Sequence, residues 1–375
     1  MSGIYIHIPY CKQKCSYCDF HFSTNLDSKS ILIDSINKEL ILRKNEINNP
    51  LETIYFGGGT PSILTEIELQ NIFDTIYKHY NTSQIKEITL EANPDDISKE
   101  KLNYLKSTPI NRFSIGIQSF FEKDLQLMNR AHNALEAEKS IKLVQDYGFD
   151  NITIDLIYGS TTTTNSMWKK NLSKAIELNI PHISSYALTV EEKTVLDYQI
   201  KKGITKPTDD NQQNEQFQLL VKTLFENDFI HYEISNFGKK DYFSVHNSNY
   251  WKGIPYLGIG PSAHSFNGKQ RAWNIANNSK YIKSINENIL PQEIETLSEI
   301  DRFNEMIMIG LRTIYGIDIK RINEEFSSEL VNYFNSEIKQ LKSENIITQQ
   351  NNKIILTPES YFFADGIASR LFYIK

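Results

Sequence analysis

The sequence predicts an α/β protein: a partial barrel of six strand–helix units, followed by a smaller winged-helix-like α+β unit. Three observations predict it. Through the first two-thirds of the chain, short β-rich runs alternate with helical periodicities, which marks a parallel sheet with crossover helices. Each predicted strand ends in a polar or glycine-rich tag, at the edge where parallel βα folds collect their chemistry. Near Asp301 the texture changes to three helical patterns and a hairpin.

The predicted strands are Gly3–Ile8, Thr53–Phe56, Glu87–Glu91, Arg112–Ile117, Ile152–Ile157 and Ile183–Leu188, with helices between them. The clearest helix sets Leu69, Ile72, Phe73, Ile76, Tyr77 and Tyr80 on one stripe, after a Thr65-x-x-Glu68 capping box. Another, over Asn211–Asp228, aligns Phe217, Leu220, Val221, Leu224 and Phe225. Six units are too few for a closed eight-stranded barrel and fit an open one whose mouth admits a large substrate. Residues 1–235 form this barrel, 236–298 a glycine-punctuated connecting segment, and 299–375 the C-terminal unit. In the last, Met306/Ile307/Ile309/Leu311, Ile319/Ile322/Phe326 and Phe334/Ile338/Leu341 give three helices. The hairpin arms are Ile346–Thr348 and Lys353–Leu356, joined across Asn351-Asn352, and a last helix follows Pro358.

Bulk properties narrow the function classes. No apolar run of about 18 residues is present and the N-terminus alternates like a strand, so a cytoplasmic protein with no membrane span is expected. A net charge of −6 argues against nucleic acid as a partner and gives the winged-helix-like unit a docking or lid role instead.

All three cysteines of the 375 residues lie in one stretch, Cys11-x3-Cys15-x2-Cys18, just after the first strand. Clustered thiols and no others fit a reducing compartment. Three thiolates can converge on one inorganic centre, yet they are one short of a closed tetrahedral zinc site or a fully ligated iron–sulfur cluster. An open coordination position follows. A zinc site would have to recruit His7 or His21 as fourth ligand, and would make the chain a zinc-stabilised regulatory protein.

The other tags are Gly57-Gly58-Gly59-Thr60-Pro61, Glu91-Ala92-Asn93-Pro94, Gly116-Ile117-Gln118-Ser119, Asp155 to Gly159, and Ser184-Ser185-Tyr186-Ala187. Taken singly, the glycines could be a tight turn, Glu91, Gln118 and Asp155 could be helix caps, and Arg130 an exposed helix residue. Together they supply what an aminoacyl-nucleoside needs: backbone acceptors for an ammonium, an arginine for a carboxylate, and polar groups for ribose hydroxyls.

The wording Tyr5-Ile-His-Ile-Pro-Tyr-Cys11 and Cys15-Ser-Tyr-Cys-Asp-Phe20 resembles the radical S-adenosylmethionine (SAM) superfamily, its coproporphyrinogen-dehydrogenase-like branch, and within it the HemW-type haem chaperones. The resemblance covers about the first 190 residues. It implies a radical SAM barrel in which Cys11, Cys15 and Cys18 hold three irons of a [4Fe-4S] cluster and SAM chelates the fourth. Tyr5, Tyr17, Gly57, Gly58, Gly59, Thr60, Glu91, Gln118, Arg130 and Asp155 match the family's SAM contacts. Oxygen-independent coproporphyrinogen III oxidases, the enzyme alternative, carry a fourth cysteine two positions beyond the third, where this chain has Phe20. That departure points to the chaperone branch, leaving open whether SAM is cleaved.

His246-Asn-Ser-Asn-Tyr250-Trp251 resembles the HNxxYW motif attributed to haem binding in that family, which implies haem on His246, Tyr250 and Trp251. Imidazole is a common axial ligand and aromatic rings cover a porphyrin face. The structural alternative is a motif that pins an ordered loop against the barrel; His264 is a second candidate ligand. The partners implied are haem, a haem-acceptor protein such as a respiratory one, an electron donor, and contact with a peripheral membrane protein.

Overall fold

In the computed structural model, which describes residues 1–374, six parallel strands form the centre. They are β1 (Ser2–Ile8), β2 (Leu51–Gly58), β3 (Glu87–Ala92), β4 (Arg112–Gln118), β5 (Ile152–Tyr158) and β6 (His182–Ala187), hydrogen-bonded in that order. Their outward residues, such as Ile4, Ile6, Ile54, Phe56, Ile115 and Ile154, are buried under crossover helices in a single apolar cluster. This burial is why the strands read as β-branched runs. The Thr65 capping box is formed and starts the helix Glu66–His79. That helix buries Leu69, Ile72, Phe73 and Ile76, while Tyr77 turns outward. The helix expected over Asn211–Asp228 runs Asp210–Phe225; its last apolar residue, Phe225, is 78% exposed rather than part of the stripe.

The inward faces of β1–β6 are polar. Thr53, Glu87, Arg112, Thr153 and His182 lie low in the barrel, and Arg112 donates to Thr153 Oγ1 at 2.5 Å. An interior of this kind leaves room for water and polar ligands toward the rim.

The sheet continues past both edges of the barrel. Beyond β6 it adds β7 (Ile230–Glu233) and β8 (Asn236–Gly238). Beyond β1 it adds β9 (Tyr256–Ile259), β10 (His264–Phe266), β11 (Gln270–Asn274) and β12 (Gln292–Thr296). Residues 236–298, read from sequence as a connecting segment, thus contribute five strands to the main sheet, and β9 pairs in parallel with β1. A buried ion pair anchors this extension. Arg43 bonds Glu39 at 3.0 Å and the Gly258 carbonyl at 2.8 Å, while Glu39 also accepts from the Gly260 amide and Tyr281.

The C-terminal unit has its own core, with Phe303, Ile307, Ile322, Phe334 and Ile354 at the centre. Helices Glu299–Leu311, Ile319–Glu325 and Ser328–Ser343 pack with a three-stranded sheet of β13 (Ile317–Asp318), which lies between the first two helices, and β14 (Ile347–Gln350) and β15 (Lys353–Leu356), which follow the third. Asn351 takes the left-handed conformation (φ 55°) in the β14–β15 turn, as the Asn-Asn pair predicts. The unit docks on the barrel's far edge, where Ile234 N–H donates to Arg312 O at 2.9 Å and Phe362 packs on Phe217.

Candidate functional site

The loop after β1 carries Cys11, Cys15 and Cys18 to the rim at the carboxyl ends of the strands. It is tied down by Cys11 N–H to Ser23 O and Ser16 N–H to Met128 O, both 3.0 Å. All three thiols are free, and they border one cavity of about 580 Å³. Thr60 Oγ1 lies 3.4 Å from Cys11 Sγ, and Arg130 Nη1 lies 3.2 Å from Cys15 Sγ. Donors aimed at sulfur suit thiolate ligands. Burial pushes the Cys11 thiol up to about 11 and the Cys18 thiol in the same direction.

Eight of the ten residues expected at SAM line the same cavity: Tyr17, Gly58, Gly59, Thr60, Glu91, Gln118, Arg130 and Asp155. Tyr5 and Gly57 do not. They stand one layer below, where the Tyr5 ring stacks on Tyr55 and its hydroxyl bonds His7 Nδ1 at 3.1 Å. A Cβ on Gly57 would come within 2.9 Å of both tyrosine rings. That layer supports the cavity floor.

Two glycines bring backbone to the cavity wall. Gly58 adopts φ 107°, and a Cβ there would meet His7 at 2.6 Å; one on Gly59 would meet the Tyr10 backbone at 2.7 Å. Only glycine fits either place. Arg130 spans the opposite wall. Its Nη2 donates to Asn93 Oδ1 and to Gly116 O, both at 2.7 Å, while its buried Nε has no partner among the described residues. Asn93 in turn donates to Thr60 Oγ1 at 3.1 Å, so sequence reasoning quoted Asn93 in its tag yet missed it as the link between two walls. Ser114 and Tyr186 also line the cavity and were missed as site residues; Tyr186 stands in a strand-end tag, whereas Ser114 sits inside β4, two residues before its tag begins, and carries no such signal.

Two acids share the floor. Burial carries the Glu91 carboxyl up to about 8, opposed by the hydrogen bond it accepts from Tyr55 at 2.7 Å and raised further by Asp155. Burial likewise carries Asp155 up to about 7, with the Arg130 charge and the Ser184 and Ser114 hydroxyls opposing. Neutral at pH 7 or close to it, they regain charge when a cation enters.

These features test whether the residues fit the groups the fold implies. Three thiols of one loop bordering one cavity, with donors aimed at the Cys11 and Cys15 sulfurs, fit a cluster with one open corner. An unpartnered guanidinium nitrogen fits a carboxylate, bare glycine backbone fits close approach by an ammonium, and paired acids fit a sulfonium or ammonium charge. A single zinc ion fits less well. Among the described residues no three His, Cys, Asp or Glu side chains converge on one ion position. His7, moreover, has both ring nitrogens engaged, with Tyr5 and with His21 O.

Comparison with known proteins agrees with this geometry. The family model described as the radical SAM superfamily matches residues 5–187, and that of the HemN C-terminal domain matches residues 297–363. A protein of Bacillus subtilis named Heme chaperone HemW is 32% identical over 371 residues, covering 98% of each chain. The chain belongs to the HemW family of the radical SAM superfamily. A HemW protein of Lactococcus lactis is 30% identical, covering 98% of this chain and 96% of that one. Among solved structures, coproporphyrinogen III oxidase (HemN) from Escherichia coli aligns with TM-score 0.85 and 20% identity, over 99% of this chain and 90% of that chain. That likeness shows a shared fold, and bears out the partial barrel with its C-terminal unit.

The HNxxYW motif lies elsewhere. Its helix, Val245–Trp251, closes the opposite end of the barrel, with the Val245 and His246 amides on the Glu87 carboxylate at 2.8 and 2.9 Å. His246 is buried, stacked on Tyr55, and bonded through Nδ1 to Thr53 Oγ1 and through Nε2 to Tyr250 Oη, each at 2.8 Å. Burial lowers its pKa to about 3, so the ring is neutral and has no nitrogen free for iron. Trp251 lies under the Arg312 guanidinium at 5.5 Å and links the barrel to the C-terminal unit. As placed, the motif plugs the barrel. His264, the other candidate, is exposed and 6.1 Å from the Trp273 ring, outside the cavity.

Among the described residues, no helix is long and apolar enough to cross a membrane.

Proposed function

We propose that the chain is a haem chaperone that carries one [4Fe-4S] cluster and SAM, binds haem, and passes it to an acceptor haem protein such as a respiratory one. What carries this reading is full-length similarity to proteins named for that role, joined to a cavity in which the cysteine loop and eight matching residues meet. Cys11, Cys15 and Cys18 hold the cluster and leave its fourth corner to the ligand. Gly58 and Gly59 receive the ammonium, Arg130 Nε the carboxylate, and Glu91 and Asp155 the remaining polar and cationic edge. When bound, cluster and SAM supply reductive cleavage of a sulfonium carbon–sulfur bond, given an electron donor. The protein's part is to orient the ligand and to keep water off it, with Tyr17 and Ile157 closing the wall.

The second reading, an oxygen-independent coproporphyrinogen III oxidase, rests on the shared branch, and Phe20 at the fourth-cysteine position weighs against it. Anaerobic incubation of reconstituted protein with coproporphyrinogen III, SAM and a reductant separates the two. Stable haem binding and transfer to an apo-haem protein, without vinyl-group formation, is expected. Turnover to the divinyl product would overturn the chaperone reading.

A further inference from the structure

A haem carrier needs an iron ligand, and the histidines in and around the barrel's interior differ in what they can offer. His7, His182 and His246 have both ring nitrogens bonded within the protein. His132 gives Nε2 to Ile117 O and buries the other nitrogen. His21 is arranged differently. Its Nε2–H donates to Asn278 Oδ1 at 2.8 Å, which fixes the tautomer and leaves the lone pair on Nδ1. Among the described residues Nδ1 has no hydrogen-bond partner, and it is not among the buried unpaired atoms, so it stays open to solvent. A histidine that donates one ring N–H to a carbonyl and presents the other nitrogen is the arrangement metal-binding imidazoles use.

His21 lines an open groove of about 760 Å³ beside the SAM cavity, and the two share Cys18, Asp19, Phe20 and Phe22. Phe20, the residue that replaces the oxidases' fourth cysteine, is 69% exposed here, an unusual surface for a large aromatic ring. Phe22 stands two residues on, and Lys14 and Lys193 bring ammonium groups to the rim. An imidazole nitrogen, two aromatic faces and two cations match the three parts of haem: iron, macrocycle and propionates. Asp19 and Glu192 share the rim and moderate its positive charge, which suits a cargo that must leave.

We propose that haem binds in this groove with His21 Nδ1 as an axial ligand, Phe20 and Phe22 against the porphyrin, and Asn278 as the residue that orients the imidazole. The assignment rests on the haem-chaperone reading. Binding forms a coordinate bond from Nδ1 to iron, with no proton released and no change of oxidation state. It also sets haem beside the cluster loop rather than at the HNxxYW helix, whose His246 lies against Gly3 at the other end of β1, about 20 Å away over six steps of some 3.3 Å per residue.

Haem titration separates the possibilities. It uses full-length protein with its cluster reconstituted anaerobically, so that free thiols do not compete for iron. Wild type should show a shifted Soret band. His21→Ala should weaken binding at least about tenfold and change the band, with added imidazole restoring it, while cluster absorbance and far-ultraviolet circular dichroism stay as in wild type. His264→Ala should bind as wild type does. Asn278→Leu should lose about tenfold in affinity and Asn278→Asp, which keeps an acceptor, should retain it. Haem binding by wild type with an unchanged spectrum and affinity in His21→Ala would overturn the groove assignment and leave the chaperone reading standing. Absence of haem binding by wild type would overturn both.

Discussion

Glu91 gives the sharpest test of how the cavity treats charge. Its carboxyl moves from an ordinary 4.5 to about 8 because it is enclosed by protein and faces Asp155. At about 1.4 kcal/mol per pKa unit the full linkage would approach 5 kcal/mol; the half-buried side chain lines the open cavity, so about 2–3 kcal/mol is the expected size. The sign follows from which state holds the proton. Between about 4.5 and 8 the unfolded chain has released it and the ligand-free fold keeps it, so stability falls across that window and levels above it. Glu91→Gln removes this term. Urea denaturation of ligand-free protein from pH 5 to 8.5 should show a decline in wild type that is clearly shallower in the variant. The same group predicts that SAM binding at pH 7 releases protons, since a cation favours the carboxylate. Calorimetry in two buffers of different ionisation enthalpy measures the count, expected to approach one and to drop in Glu91→Gln. Equal pH slopes and equal proton counts in the two proteins would refute the reasoning.

Two further outcomes follow from the walls of the site and the fold. Arg130→Lys keeps a charge but loses the fork that reaches Asn93, Gly116 and the free Nε position, so SAM affinity measured by calorimetry should fall about 10- to 100-fold, the worth of one or two charge-assisted bonds. Arg43→Ala strands the wholly buried Glu39 and should cost about 3–5 kcal/mol in chemical denaturation, with an exposed-surface control such as Lys142→Ala near zero.

How far the sequence revealed this protein depends on how local each feature is. β1–β6 were legible because strands buried on both faces are written as runs such as Ile152-Thr-Ile-Asp-Leu-Ile, and the tags that end them mark the rim directly. The outer strands were not. β8 spans three residues, Asn236–Gly238, and β12, Gln292–Thr296, is an exposed edge with charged residues, so neither carries an alternation long enough to read. Tyr5 and Gly57 lie on the right strands, but residues one layer below a rim look the same in sequence as those at it. The place of His246 depends on Thr53 and Glu87, 193 and 159 residues away, and the poise of His21 depends on Asn278, 257 residues away. Hydrogen bonds between such distant residues leave no local mark.

The most direct test of the account is the iron content and spectrum of anaerobically reconstituted wild type, with and without SAM. The account predicts about four irons and four sulfides per chain, an electron paramagnetic resonance signal after reduction that SAM perturbs, and loss of both in Cys15→Ser. A protein that takes up zinc in place of iron, or whose cluster signal is indifferent to SAM, would contradict it.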